Sequence, residues 1–302
     1  MKKLFIAMLA VAAVTACAKD EAISIDRQTI GFGNPFVNNS VRATDPTYGA
    51  VNKLTSFNVY GTVTGTAGTV NIFDGVTVTG TVGNTVWSYD DQYAQYWIPG
   101  ASYNFAAVVN ADAVTQNELK MPTALTYNTA GQKDLLYATA SVNNASANQG
   151  AVNMNFSHLL SKAQFTVTSN TAGGYYHSVT NIKISNFETG TYTIDGGTWA
   201  GTTAKDIVFG AVNEVTAVSG AKTNDTQMLL VPNAATFDVT FTVELYKDGT
   251  KLGTETKSIA VENDLVKGNS YNFTIACSVG NPIKFTVTND PTWTTVPDVT
   301  VQ

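Results

Sequence analysis

The sequence predicts an all-β protein, two tandem antiparallel β-sandwiches behind an exported leader. Three observations predict it: apolar and polar residues alternate with a period of two over most of the chain beyond residue 43, helical periodicity is almost absent, and one six-residue pattern occurs twice. The chain has 302 residues, of which 44% are hydrophobic and 10% aromatic, enough for about two domains of roughly 150 residues, each with an ordinary core.

The leader comes first. Lys2 and Lys3 precede an apolar run from Leu4 to Val14, too short for a permanent membrane span and the right length for a secretory signal. It closes on Val14-Thr15-Ala16-Cys17, which resembles a bacterial lipobox. Residues 1–16 are therefore expected to be a signal peptide, with the thiol of Cys17 taking the lipid. Lys19-Asp20-Glu21 resembles the short acidic tag that sends some lipoproteins to the outer face of the outer membrane.

Beyond residue 43 the chain is rich in Thr, Val, Tyr, Phe, Asn and Gly, a mixture that favours pleated strands and tight turns. Phe57, Val59 and Val63 alternate with Asn58, Tyr60, Thr62 and Thr64, which predicts a strand with one wet face. Phe165 and Val167 alternate with Gln164, Thr166 and Thr168, and Val239, Phe241, Val243 and Leu245 with Asp238, Thr240, Thr242 and Glu244. The last run enters Lys247-Asp248-Gly249-Thr250, where Asp-Gly suits a type I′ hairpin turn. The one stretch that reads as a helical turn is Ser157 to Lys162. Many short strands without amphipathic helices between them point to sandwiches.

The pattern G-x-S-Y-N-F begins at Gly100 and again at Gly268, 168 residues later. In each copy glycine serves a turn and the aromatics then open an apolar strand. This echo supports two similar units, an N-terminal one over residues 43–160 and a C-terminal one over 161–302, meeting near Asn155 to Lys162. In the second copy Tyr271, Phe273, Ile275 and Cys277 share one face, so the Cys277 thiol is expected in the core.

The residues that carry chemistry are few. A net charge of −6 and a pI near 4.9 leave no basic face for nucleic acid. Two cysteines cannot build a disulfide scaffold, and two histidines, His158 and His177, give a zinc site or an activated nucleophile little to draw on. Phosphate-loop, nucleophile-elbow, zinc-protease and C-x-x-C spacings are missing. Asp90-Asp91 and Glu262-Asn263-Asp264 read as turn formers, and the two histidines as hydrogen-bonding residues. No catalytic residue, metal site or cofactor is expected. Trp87, Tyr89, Tyr93, Tyr96 and Trp97 crowd one segment; such rings either stack on sugars or pack beneath a loop, and packing is the commoner fate.

Further motifs carry a family resemblance. They are Val14 to Cys17, Val41-Arg42-Ala43-Thr44, Leu54 to Gly61, Pro99 to Phe105, Phe156 to Lys162, Met228-Leu229-Leu230-Val231-Pro232 and Lys267 to Ile275. Taken in order along nearly the whole chain, they are similar to the fimbrillin family of Bacteroidales-type (type V) pili. The resemblance implies two transthyretin-like sandwiches and a surface lipoprotein precursor. It also implies an Arg-specific protease that removes an N-terminal segment, and a groove that then accepts a strand from another fimbrial subunit. Residues 17–42 become a propeptide, with cleavage between Arg42 and Ala43.

Part of this has support in the residues themselves. Arginine occurs only at Arg27 and Arg42, ahead of the first confident strand, so such a protease would spare the body. After Arg42 the chain keeps 12 lysines against 20 acidic residues, a net charge of −8 that favours solubility. Ile23, Ile25, Ile30 and Phe32 can form the strand that cleavage would remove, exposing a sheet edge that binds an extended peptide. In the tail, Trp293, Val299 and Val301 share one face, with Pro297 where an edge tolerates it. The tail either donates a strand or completes its own domain. The expected partners are thus other subunits, the outer membrane through the lipid on Cys17, and a host or microbial glycan or protein. The alternative is a monomeric glycan-binding surface lipoprotein that uses the aromatic cluster and is never cut at Arg42.

Overall fold

The computed structural model describes residues 28–33, 35–37, 54–80, 87–224, 227–233 and 235–291. They form three sheets. The first has six strands in the order Phe36–Val37, Asn155–His158, Leu136–Val142, Ser102–Val109, Ser56–Gly65, Gly68–Thr79. The second runs Thr250–Val261, Phe237–Lys247, Tyr175–Thr193, Pro122–Asn128, Ala113–Gln116, and Thr198–Val208 and Val212–Val215 also pair with its long central strand. The third runs Lys222–Thr223, Ser161–Ser169, Ser270–Cys277, Lys284–Asp290, with Met228–Leu230 beside Ser161–Ser169. Helix is confined to two short 3-10 turns, Asp91–Tyr93 and Thr129–Gly131, among the described residues.

The protein is all-β and built as sheets packed face to face. In the C-terminal half, Val179, Ile184, Val239 and Phe241 of the second sheet meet Phe165, Val167, Phe273 and Ile275 of the third in one core. Cys277 is buried in that core, on the same face as Tyr271, Phe273 and Ile275, as the alternation predicts. The Asp248-Gly249 hairpin also forms as expected, with φ of 44° and 82° at its two central residues and the flanking strands paired from Lys247 and Thr250 onward.

In the N-terminal half the six-stranded sheet presents Phe57, Val59, Phe73, Tyr103, Phe105 and Phe156 to a cover made of Ile30, Phe32, Trp87, Trp97, Val152 and Met154. Its opposite face is not wet. Tyr60, Ala106 and Val108 pack there against Leu125, Tyr127, Leu159, Leu160, Tyr192, Leu229 and Val231 in a third core that draws on both halves of the chain. Tyr60 and Thr62, read from alternation as exposed, are therefore buried. The halves also share the second sheet, because Pro122–Asn128 pairs with Tyr175–Thr193 from Asn128↔Thr189 to Ala124↔Thr193.

Ser157 to Lys162 does not form the expected helical turn. Asn155–His158 ends one strand and Ser161–Ser169 begins another. The backbone between them is claimed by neighbours: the Leu159 amide donates to the Leu135 carbonyl at 3.0 Å, and the Leu160 carbonyl accepts from the Gly268 amide at 2.8 Å. A single helical turn gains too little from its own hydrogen bonds to compete with such partners.

Candidate functional site

The candidate site is the slot in the N-terminal half that residues 28–33 occupy. The local sequence is Gln28-Thr29-Ile30-Gly31-Phe32-Gly33, and alternation places Ile30 and Phe32 inward, each 1% exposed, with Thr29 exposed and Gly31 half-buried. This segment is bonded along both of its edges. On one side the Trp97 amide donates to the Gln28 carbonyl at 3.1 Å, the Ile30 amide to the Gln95 carbonyl at 2.8 Å, and the Trp87 amide to the Phe32 carbonyl at 3.3 Å. On the other the Val152 amide donates to the Gly31 carbonyl at 2.8 Å and the Gly33 amide to the Val152 carbonyl at 2.9 Å. The pairing continues in parallel, Phe36 with Asn155 and Val37 with Phe156.

Side chains complete the hold. Phe32 packs edge-on against Phe57, Phe73, Tyr89 and Phe105. The Tyr89 hydroxyl donates to the Ile30 carbonyl at 2.7 Å; burial raises its pKa, which keeps the proton that the bond needs. Burying Ile30 and Phe32 stabilises by roughly 1.5–3 kcal/mol each. Without this segment, two rows of backbone groups would lose their partners and an apolar slot would open.

Of the sequence-derived site residues, Ile30 and Phe32 are placed in this slot. Ile23, Ile25, Cys17, Arg42, Ala43, Trp293, Val299 and Val301 lie outside the described residues. The aromatic cluster divides. Trp87 and Trp97 are each 1% exposed and form the slot's wall, while Tyr93 and Tyr96 face solvent, so the two largest rings are unavailable to a sugar. Val152, which supplies the parallel edge, alternates with Met154 and Phe156 as a strand does, but that spacing does not say which segment the strand pairs with. Phe73 and Phe105 likewise read as ordinary core residues, and only their convergence on Phe32 gives them a role.

The other candidates lie elsewhere in the fold. His158 is buried with its Nδ1 2.5 Å from Asp134 Oδ2. The His177 Nδ1 meets Ser169 Oγ at 2.8 Å. Asp90 caps a 3-10 turn, accepting from the Gln92 amide at 2.9 Å, and Glu262, Asn263 and Asp264 lie in an exposed link between strands.

Covered sheets of this kind, with a leading segment bonded into the first core, define an all-β class of multi-sheet proteins. The chain belongs to the fimbrillin-like family, whose model matches residues 42–291. Its fold is similar to that of a fimbrial protein from Bacteroides vulgatus, with a TM-score of 0.63 and 16% identity over 88% of this chain and 99% of that one. A protein from Bacteroides uniformis described as a cell adhesion protein is similar with a TM-score of 0.56 and 18% identity, over 90% and 99% of the respective chains. Among curated proteins, none has a significantly matching sequence.

Proposed function

We propose that the chain is a structural subunit of surface fimbriae that supports adhesion, working through assembly and not catalysis. It is exported as a lipoprotein on Cys17, matured by cleavage between Arg42 and Ala43, and polymerised when a strand from another subunit takes the place of residues 28–33. One observation carries this reading: a segment that lies before Arg42 fills the first core and is hydrogen-bonded along both edges. Cleavage after Arg42 would leave that segment held by noncovalent contacts alone, and its departure would leave a slot with the backbone pattern of a missing strand. Family membership over residues 42–291 supports the fimbrial part of this reading.

Mass spectrometry of surface material tests the proposal. A mature N-terminus at Ala43 in high-mass assemblies is expected; an intact, lipidated Cys17 found solely on monomers would overturn it. The tail is the donor candidate through Trp293, Val299 and Val301. A chain ending at Pro291 is therefore expected to be cleaved normally and to stop short of filaments; normal filaments from it would show that the donor strand lies elsewhere.

A further inference from the structure

Backbone pairing accepts almost any extended peptide, so whatever selects the slot's occupant must be its side-chain pockets. The pocket around Phe32 is built by the body of the protein. Its walls come from separate places in the chain: Phe57 at 5.9 Å and 88°, Phe73 at 5.8 Å and 62°, Tyr89 at 6.0 Å and 65°, and Phe105 at 6.0 Å and 89° to the Phe32 ring. These walls also brace one another, with Phe73 edge-on to Tyr89 at 5.4 Å and Phe57 stacked on Trp87 at 5.6 Å. Gly61 makes room for two of them: a Cβ there would come within 3.0 Å of Phe73 and 3.1 Å of Phe105. The box is thus sized and oriented for one aromatic ring, and the quadrupoles of its walls favour a ring met edge-on.

We propose that the slot selects an extended segment that brings an aromatic ring to the Phe32 position, as Ile30-Gly31-Phe32 does in the precursor, and that the Phe32 box is the specificity-determining contact. This rests on the strand-replacement reading and states what the replacing strand must look like. In the donor tail the residue that can bring a ring to the Phe32 position is Trp293, and not Val299 or Val301. A smaller aliphatic side chain there leaves a void that the braced walls cannot close, and interiors tolerate such voids poorly. Phe32 is also the group that keeps the precursor's own leader in place against weaker competitors.

The test uses the full chain, nicked between residues 42 and 54 either by an Arg-specific protease or through an inserted sequence-specific site. The nicked protein is held in urea just below its unfolding midpoint with excess fluorescent peptide, and incorporation is read by polarisation and by mass spectrometry of the released leader. The peptides span residues 28–37 as wild type, Ile30→Leu, Phe32→Leu and Phe32→Ala. Relative to wild type, Phe32→Leu is expected to bind about tenfold and Phe32→Ala at least about a hundredfold more weakly, with Ile30→Leu within about threefold. In a Gly61→Ala body the displaced Phe73 and Phe105 rings shrink the box, so the preference for Phe over Leu is expected to fall by about threefold or more. If all four peptides bind within threefold of one another, the box does not select and this inference fails alone. If no peptide, wild type included, displaces the leader, strand replacement itself fails and the inference falls with it.

Discussion

Tyr103 and Tyr271, 168 residues apart in the chain, make the same pair of hydrogen bonds. Each hydroxyl accepts from the amide five residues earlier, Ile98 at 2.7 Å and Val266 at 2.8 Å, and donates to the carbonyl seven residues earlier, Tyr96 at 3.4 Å and Asp264 at 2.7 Å. Each follows a glycine at positive φ, Gly100 at 82° and Gly268 at 75°, where a side chain would be strained. Each ring also stacks on the phenylalanine two residues on, at 6.0 Å for Phe105 and 6.5 Å for Phe273. The repeated hexapeptide is thus one device used twice, a tyrosine that ties an incoming loop to the strand it opens.

Removing either hydroxyl leaves a partly buried amide without its acceptor. Tyr103→Phe and Tyr271→Phe are each expected to lower stability by about 1–3 kcal/mol in urea unfolding. Because they sit in different cores, the double variant should show the sum to within about 0.5 kcal/mol. A change below about 0.3 kcal/mol in both single variants would mean that water replaces the tyrosine without loss.

In the uncut chain, Phe32→Ala is expected to cost about 3–5 kcal/mol, the usual penalty for emptying a packed aromatic site. Val218→Ser, at a residue 92% exposed, should stay within about 0.5 kcal/mol of wild type. Equal unfolding midpoints for the two variants would show that the leader adds nothing to the first core.

Burial pushes the Cys277 thiol up to about 12, so almost no thiolate is present at neutral pH. In a Cys17→Ser chain, a thiol reagent at pH 8 should leave Cys277 unmodified while the protein is folded and label it fully in urea. Complete labelling of the folded protein within minutes would contradict the packing around this strand.

Desolvation lowers the pKa of His177 below its ordinary 6.5. The unfolded chain therefore takes up this proton at a higher pH than the folded one. The stability tied to neutral His177 is complete above about pH 6.5 and is lost as pH falls from there toward the lower folded value. His177→Gln should flatten that part of the curve of urea midpoint against pH, and an unchanged slope would assign the dependence to other groups.

The fold class was legible because alternation is a local property. Phe165, Val167, Val239, Phe241 and the Tyr271 to Cys277 strand all bury the face that their own spacing indicates. The Asp248-Gly249 turn was legible for a similar reason, since positive φ at two adjacent residues narrows the residue types to a few. Tyr60 and Thr62 were not. Their strand alternates as if one face met water, yet Leu125, Tyr192 and Leu229, all more than 60 residues away in the chain, cover that face. The aromatic segment around Trp87 and Trp97 had the same ambiguity, because composition reports that rings are present and not which way they point.

The sequence by itself determined the β class, the repeated G-x-S-Y-N-F strand opening, the inward face of Ile30 and Phe32 and the core place of Cys277, all of which depend on residue spacing within a few positions. Only the tertiary structure decided that Phe57, Phe73, Tyr89 and Phe105 converge on Phe32, and that Trp87, Gln95, Trp97 and Val152 bond the same segment from both sides. The physical reason is the range of the forces involved. Alternation is set by the pleat of a single strand, whereas a pocket exists only where chain segments far apart in sequence are brought together by the burial of all their apolar surfaces at once.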